Sequence, residues 1–254
     1  MIFITGDTHA EWPSRFSTSA FPEQKTLTKE DFVIVCGDFG IWDNSSKENY
    51  WLDWLDSKPF TTLFVSGNHS NYDILDTLPT STWRNGKVNF IRPSVIHPKR
   101  GQIFDINNKT FFTFGGASSH DIQDGILETT DPNFKRRKKI LDKNYSLYRI
   151  NHISWWEREL PSNEELQEGI NNIKAAGNKV DYIITHSPYT SILNHLDGGF
   201  GLYKTDILTD YLQKIKENIE YTYWFFGHMH INRTFHEEKA TCLYEQILKL
   251  NLTN

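Results

Sequence analysis

Residues 2–9 read IFITGDTH, an apolar run that stops at a glycine and is followed by an aspartate and a histidine. β-Branched and aromatic residues favour a buried strand, and the glycine marks its end. Asp7 and His9 therefore follow the carboxyl end of a predicted strand. The same arrangement of apolar strand, glycine and polar side chain recurs along the chain.

Similar runs predict strands at residues 2–5, 32–36, 61–65, 111–114, 180–185 and 221–226. Apolar periodicity predicts helices at 46–56 and 206–218, and Ser162 with Glu165 forms a capping-box pattern that predicts a third helix. This alternation indicates an α/β fold with mostly parallel central strands. We expect one domain over residues 1–254, with the less regular residues 115–156 forming a cap or insertion over one end of the sheet.

The composition is that of a soluble globular protein, with 38% apolar residues, 23% charged residues and a net charge of −5. No apolar run approaches the roughly 18 residues of a spanning helix, and the N-terminus does not resemble a signal peptide. Cys36 and Cys242 do not make a disulfide framework. We therefore expect a cytoplasmic protein that has no membrane partner and no overall attraction to nucleic acid.

Polar side chains follow five of the predicted strands: Asp7 and His9, Asp38, Asn68 and His69, His186, and His228 and His230. In open α/β sheets, ligands bind at the carboxyl edge of the strands. Imidazole and carboxylate donors suit zinc, manganese or iron, and a two-metal site needs a carboxylate that bridges the ions. Each motif alone is typical of an ordinary turn or surface feature, but the ordered set favours a metal site.

In this order, Asp7-Thr8-His9, Gly37-Asp38, Gly67-Asn68-His69, His186 and Gly227-His228-Met229-His230 resemble the motifs of the calcineurin-like metallophosphoesterase superfamily. The resemblance implies two packed mixed β-sheets flanked by helices. It also implies two divalent transition-metal ions (Mn, Fe or Zn) that activate a water to hydrolyse a phosphate ester. The implied ligands are Asp7, His9, Asp38 and His230 for the first ion, with Asp38 bridging to a second ion that Asn68, His186 and His228 complete. His69 would act as a general acid or as a positive partner of the transition state.

Two positions depart from the pattern of many relatives. Gly37-Asp38 continues into residues 39–43, FGIWD, without the arginine that often follows. Ser70 stands where many relatives have a glutamate or aspartate. The sequence thus leaves open which cation binds the phosphate and what orients His69.

Three further residues are candidates for substrate contact. His120 belongs to the polar segment at 115–121, which is either a simple turn or a loop over the metals. Arg136 and Arg137 belong to the basic run at 135–139, which is either a solvated face or a phosphate-binding element, because arginine presents a bidentate fork to phosphate.

The favoured function is hydrolysis of a small phosphomonoester or phosphodiester. A nuclease acting on nucleic-acid phosphodiesters is the first alternative, which the acidic net charge and the lack of an obvious extended basic surface disfavour. A non-catalytic scaffold of the same fold is the second, which the complete ligand set and His69 disfavour.

Overall fold

The computed structural model describes residues 1–201 and 203–251, so residue 202 and the last three residues of the expected domain lie outside the described part. The strands are β1 (Ile2–Thr5), β2 (Phe32–Val35), β3 (Thr61–Phe64), β4 (Thr80–Trp83), β5 (Gly86–Arg92), β6 (Val95–Pro98), β7 (Gln102–Ile106), β8 (Lys109–Phe114), β9 (Ile126–Leu127), β10 (Arg149–Ile150), β11 (Lys179–Thr185), β12 (Glu220–Phe226), β13 (Arg233–Phe235), β14 (Ala240–Cys242) and β15 (Ile247–Lys249). The α-helices are α1 (Trp12–Arg15), α2 (Ser46–Asp56), α3 (Tyr72–Thr77), α4 (Phe134–Lys143), α5 (Asn163–Ala175), α6 (Thr190–Asp197) and α7 (Ile207–Asn218). Short 3₁₀ helices cover Pro22–Thr26 and Glu157–Glu159.

Two mixed sheets carry the fold. The first has the strand order β15-β1-β2-β3-β6-β5-β4, and the second has the order β13-β14-β12-β11-β8-β7. Parallel neighbours fill the centre of each sheet, and antiparallel strands close both edges. The expected α/β fold with two packed mixed sheets flanked by helices is confirmed.

The main core lies between the two sheets. Ile4, Ile34 and Leu63 of the first sheet share one buried cluster with Phe111 and Ile184 of the second. A second cluster joins the outer face of the second sheet to α5, α6 and α7, and a third joins the outer face of the first sheet to α1, α2 and α3. The result is a sandwich of helix, sheet, sheet and helix layers, in which the central strands are buried on both faces.

The predicted elements agree with the observed ones to within about two residues at their ends. Helix α5 begins at the Ser162–Glu165 capping box, and Asp206 caps α7 by accepting hydrogen bonds from two N–H groups of its first turn. Cys36 and Cys242 are both buried free thiols. Among the described residues, no helix has both the length and the apolar character needed to cross a membrane.

Residues 115–156 leave the second sheet after β8 and contain β9, α4 and β10. β9 and β10 pair with each other as a separate two-stranded parallel sheet. Helix α4 has no buried residue. Most of this segment is exposed or half-buried, but its beginning and β10 reach the carboxyl edge of the main sheets, where the predicted ligands lie.

Candidate metal centre

The carboxyl ends of parallel strands from both sheets meet at one edge of the sandwich, and the predicted side chains converge there. The first sheet supplies Asp7 and His9 after β1, Asp38 after β2, and Asn68 and His69 after β3; the second sheet supplies His186 after β11, and His228 and His230 after β12. The site therefore depends on the packing of the two sheets and not on either sheet alone.

Left-handed backbone turns several of these side chains toward one another. The φ angle is 45° at His9, 41° at Asp38, 67° at His228 and 49° at His230. Non-glycine residues seldom adopt this region, at a cost of roughly 1–3 kcal/mol each, and such strain clusters at functional sites. The strained positions here are four of the seven predicted ligands.

Three glycines let buried polar groups approach the backbone. An added Cβ would stand 2.1 Å from a polar side-chain atom in each case: His186 Nδ1 for Gly37, Asp38 Oδ1 for Gly67, and Asp7 Oδ1 for Gly227. Any larger residue would displace a predicted ligand, so these positions require glycine for close approach, and Gly37, with a φ of 98°, also requires it for the turn.

The first group of donors comprises Asp7, His9, Asp38 and His230, whose ligand atoms lie within 4.8 Å of one another. His230 Nε2 lies 3.2 Å from Asp7 Oδ2 and 3.2 Å from His9 Nε2. Two carboxylates and two imidazoles are a donor set that zinc, manganese and iron accept. The residues present therefore fit a metal ion at this position.

The second group lies on the other side of Asp38. His186 Nε2 is 3.2 Å from Asn68 Oδ1 and 3.4 Å from Asp38 Oδ2. The Nδ1 of His186 is 2.8 Å from the Cys36 carbonyl oxygen. A hydrogen bond of this kind fixes the tautomer of metal-binding histidines and leaves the lone pair of Nε2 available to bind a metal. The His228 ring packs against His186, with ring centroids 4.9 Å apart. Asp38 thus lies between both groups, where a bridging carboxylate would have to be.

The buried groups of the cluster shift one another's pKa values. Burial alone would raise the pKa of Asp38, but the adjacent His186 outweighs it, and the net pKa is lowered. Burial likewise lowers the pKa of His186, but Asp38 and Asp7 raise it more, and the net pKa is raised. The pKa values of His9 and His228 are lowered, chiefly by burial, which keeps their imidazoles neutral and able to bind a metal.

A cavity of about 360 Å³ opens onto these residues. Its lining comprises Asp38, Asn68, His69, His120, Asp121, Arg149, Tyr203, His228, Met229 and His230. Burial lowers the pKa of His69, and its backbone N–H donates to Asp38 Oδ1 at 2.9 Å. His120 Nε2 lies 2.7 Å from His228 Nε2, and its ring packs against Tyr203. The cavity therefore joins the second donor group to His69 and His120.

Arg136 and Arg137 are not part of this lining. Both are exposed on α4, where Arg137 pairs with Asp131 at 2.9 Å. The structure brings His120 to the metal-ligand cluster but does not bring these two arginines there.

The structure also adds residues that sequence reasoning missed. Arg149 and Asp121 line the cavity, and Arg149 Nη2 lies 3.0 Å from His69 Nε2. Ser119 accepts a hydrogen bond from Asn68 Nδ2 at 3.3 Å and donates to buried Glu159 at 2.7 Å, so Glu159 orients a predicted ligand through Ser119. The sequence carries little signal for Arg149, which simply follows residues 145–148. Its position at the cavity depends on the pairing of β9 with β10.

Comparison with known proteins agrees with the site. The family model for calcineurin-like phosphoesterase matches residues 1–232. Lariat debranching enzyme A of Xenopus laevis and the lariat debranching enzyme of Homo sapiens are each 22% identical to the chain, and each alignment covers 91% of it. The chain spans 42% of the length of each of these two relatives.

Among solved structures, the phosphopantetheinyl hydrolase of Mycobacterium tuberculosis aligns over 96% of this chain and 87% of its own, with 16% identity and a TM-score of 0.41. The family assignment rests instead on the match over residues 1–232, which includes every predicted ligand. The chain belongs to the calcineurin-like phosphoesterase family.

Proposed function

We propose that this chain hydrolyses phosphate esters with the help of two divalent metal ions held at the shared edge of its sheets. The proposal is supported above all by one observation: buried Asp38 and six other side chains of types that bind metals converge from the two sheets. Asp7, His9, Asp38 and His230 would hold the first ion, and Asn68, His186 and His228 would complete the second site.

The bridging role of Asp38 is supported by its position. Its Oδ2 lies 3.4 Å from His186 Nε2, and it belongs to the compact group around Asp7. When bound, two such ions would neutralise the charge of the ester and lower the pKa of a water toward neutrality. The buried carboxylates and neutral imidazoles supply the charge and the lone pairs that retain the ions.

His69 is proposed to serve the leaving group and not the metals. It lines the cavity, and its backbone N–H, not its ring, contacts Asp38. A bound phosphate would favour the imidazolium and oppose the burial that lowers the pKa of His69. The ring would then donate its proton to the departing oxygen or offset the negative charge that develops there.

Residues 115–156 are proposed to act as a cap of a single domain that shapes substrate choice. His120, Asp121 and Arg149 from this segment line the cavity. A volume of about 360 Å³ is at the small end of the range for small-molecule sites, which favours a small phosphomonoester or phosphodiester.

Hydrolysis of nucleic-acid phosphodiesters is the second candidate function. It is favoured by the similarity to lariat debranching enzymes and by α4, in which residues 135–139 and 143 are all lysine or arginine. Such a helix offers a local positive surface to a polyanion even though the whole chain is acidic.

The test is a hydrolysis screen on purified protein with and without added manganese or zinc. Phosphomonoesters, phosphodiesters, cyclic nucleotides and linear and branched RNA would be compared, each with a chelator control. We expect chelator-sensitive hydrolysis of at least one ester. A protein that retains two metals but hydrolyses none of these esters would favour the scaffold alternative.

A further inference from the structure

Arg149 lines the cavity from a short strand that lies outside the two main sheets. It begins β10, whose only partner strand within the described residues is β9. Directly after β10, the carbonyl of Ile150 accepts hydrogen bonds from the N–H groups of Ile153, Ser154 and Trp155, which closes a tight turn. The Arg149 side chain is only 6% exposed, although most of the segment around it is open to solvent.

Three contacts fix the Arg149 guanidinium. Its Nε donates to Asp121 Oδ1 at 2.6 Å, and its Nη1 donates to the Ser154 carbonyl at 3.0 Å. Its Nη2 lies 3.0 Å from His69 Nε2, which accepts from it while the imidazole is neutral, because a guanidinium has no acceptor atom. Five N–H donors are available in arginine, so two remain for a ligand.

We propose that Arg149 binds a non-bridging oxygen of the substrate phosphate, beside His69 in the cavity that the predicted ligands also line. This inference rests on the proposed function. A buried guanidinium with free donors is suited to phosphate oxygens, because its planar fork forms charge-assisted hydrogen bonds.

Asp121 is the positioning residue for Arg149. It is about half exposed and reaches the guanidinium from the start of the same segment, 28 residues earlier in the chain. Its carboxylate offsets the cost of burying the arginine charge and fixes the Nε edge of the guanidinium. Helix α4 lies between Asp121 and Arg149 in the sequence, so their ion pair joins the two ends of the segment that contains this helix.

The test measures binding of inorganic phosphate to metal-loaded protein by calorimetry, together with steady-state kinetics on the best ester. Arg149→Ala should weaken phosphate binding by at least about tenfold, which is the factor expected from the loss of a hydrogen bond to a charged group. Arg149→Lys should restore phosphate binding only in part. The matched control is Arg92→Ala, because Arg92 also donates from Nε to a carboxylate, that of Asp53, at 2.6 Å but lies outside the cavity. The control should bind phosphate as the unmodified protein does.

Metal content and thermal unfolding are recorded for every variant. If Arg149→Ala fails to fold, Asp121→Ala provides the second test: KM should rise more than kcat falls, and Asp121→Asn, which keeps an acceptor oxygen, should restore much of the loss. Unchanged phosphate binding in folded, metal-loaded Arg149→Ala would overturn the inference while leaving the proposed function intact. Arg149-dependent phosphate binding without hydrolysis of any ester would instead support the inference and contradict the proposed function.

Discussion

Gly67→Ala is a test of the site that changes no proposed ligand. An alanine Cβ would lie 2.1 Å from Asp38 Oδ1, 2.6 Å from the Asp38 backbone nitrogen and 2.7 Å from His186 Nε2. Ordinary contacts of carbon lie near 3.5 Å, so these atoms must separate by about 1 Å. Rotation of the Asp38 side chain cannot relieve the clash, because one of the contacts is with backbone.

The expected loss follows from the precision that metal sites require. Ligand distances tolerate only about 0.2 Å, so a shift of about 1 Å at Asp38 should weaken both ions. A misplacement of that size also costs about 10²-fold in rate. Folding should be weakened by only about 1–3 kcal/mol, the usual cost of overpacking, because Gly67 does not have a left-handed φ.

Elemental analysis after desalting, ester hydrolysis and thermal unfolding would be measured together. Gly177→Ala is the control, because Gly177 has a φ of 72° and an added Cβ there meets no atom within 4 Å. It should lose about 1 kcal/mol of stability and keep its metals. Full metal content and activity in Gly67→Ala would refute the assignment of Asp38 as the shared ligand.

Three other predictions concern single positions or pairs. His69→Gln should lower kcat by roughly 10²–10⁴-fold at unchanged metal content, with a smaller defect on nitrophenyl esters; an equal defect on good and poor leaving groups would exclude the acid role. Replacing both Arg136 and Arg137 with alanine should raise KM for RNA esters but not for small esters, without changing metal content, because both lie outside the cavity; kinetics unchanged on every ester would leave them as a solvated face. Burial raises the pKa of Glu159 to about 7, so the folded protein keeps a proton that the unfolded chain releases near pH 4.5. The free energy of unfolding should therefore fall by about 2–3 kcal/mol as the pH rises from 4.5 to 7. Glu159→Gln should remove that slope in urea unfolding curves, and an identical slope in the variant would contradict the shift.

The central strands and the ligand order were predictable because both depend on local sequence. Buried parallel strands such as β2 are continuous apolar runs, and each ligand lies within a few residues of a strand end. Two hairpins were missed although the chain carries their signals. Arg84-Asn85 joins β4 to β5 and Asn107-Asn108 joins β7 to β8, each with positive φ at both residues. These edge strands are short or partly polar, so periodicity alone does not reveal them.

The cap was harder to interpret from sequence for a physical reason. The basic run at 135–139 is conspicuous in sequence, but α4 has no buried residue and the run does not line the cavity. Arg149 has no sequence feature that distinguishes it from other arginines. Its role depends on a two-residue strand and on an ion pair with Asp121, and neither contact can be inferred from spacing.

The most direct test of the binuclear site is electron paramagnetic resonance of the protein loaded with two equivalents of Mn²⁺. Two ions that share the Asp38 carboxylate should be spin-coupled, and Asp38→Asn should lose both the coupling and bound metal. The account predicts a coupled multiline spectrum for the unmodified chain. An isolated six-line Mn²⁺ signal at full occupancy, unchanged in Asp38→Asn, would contradict it.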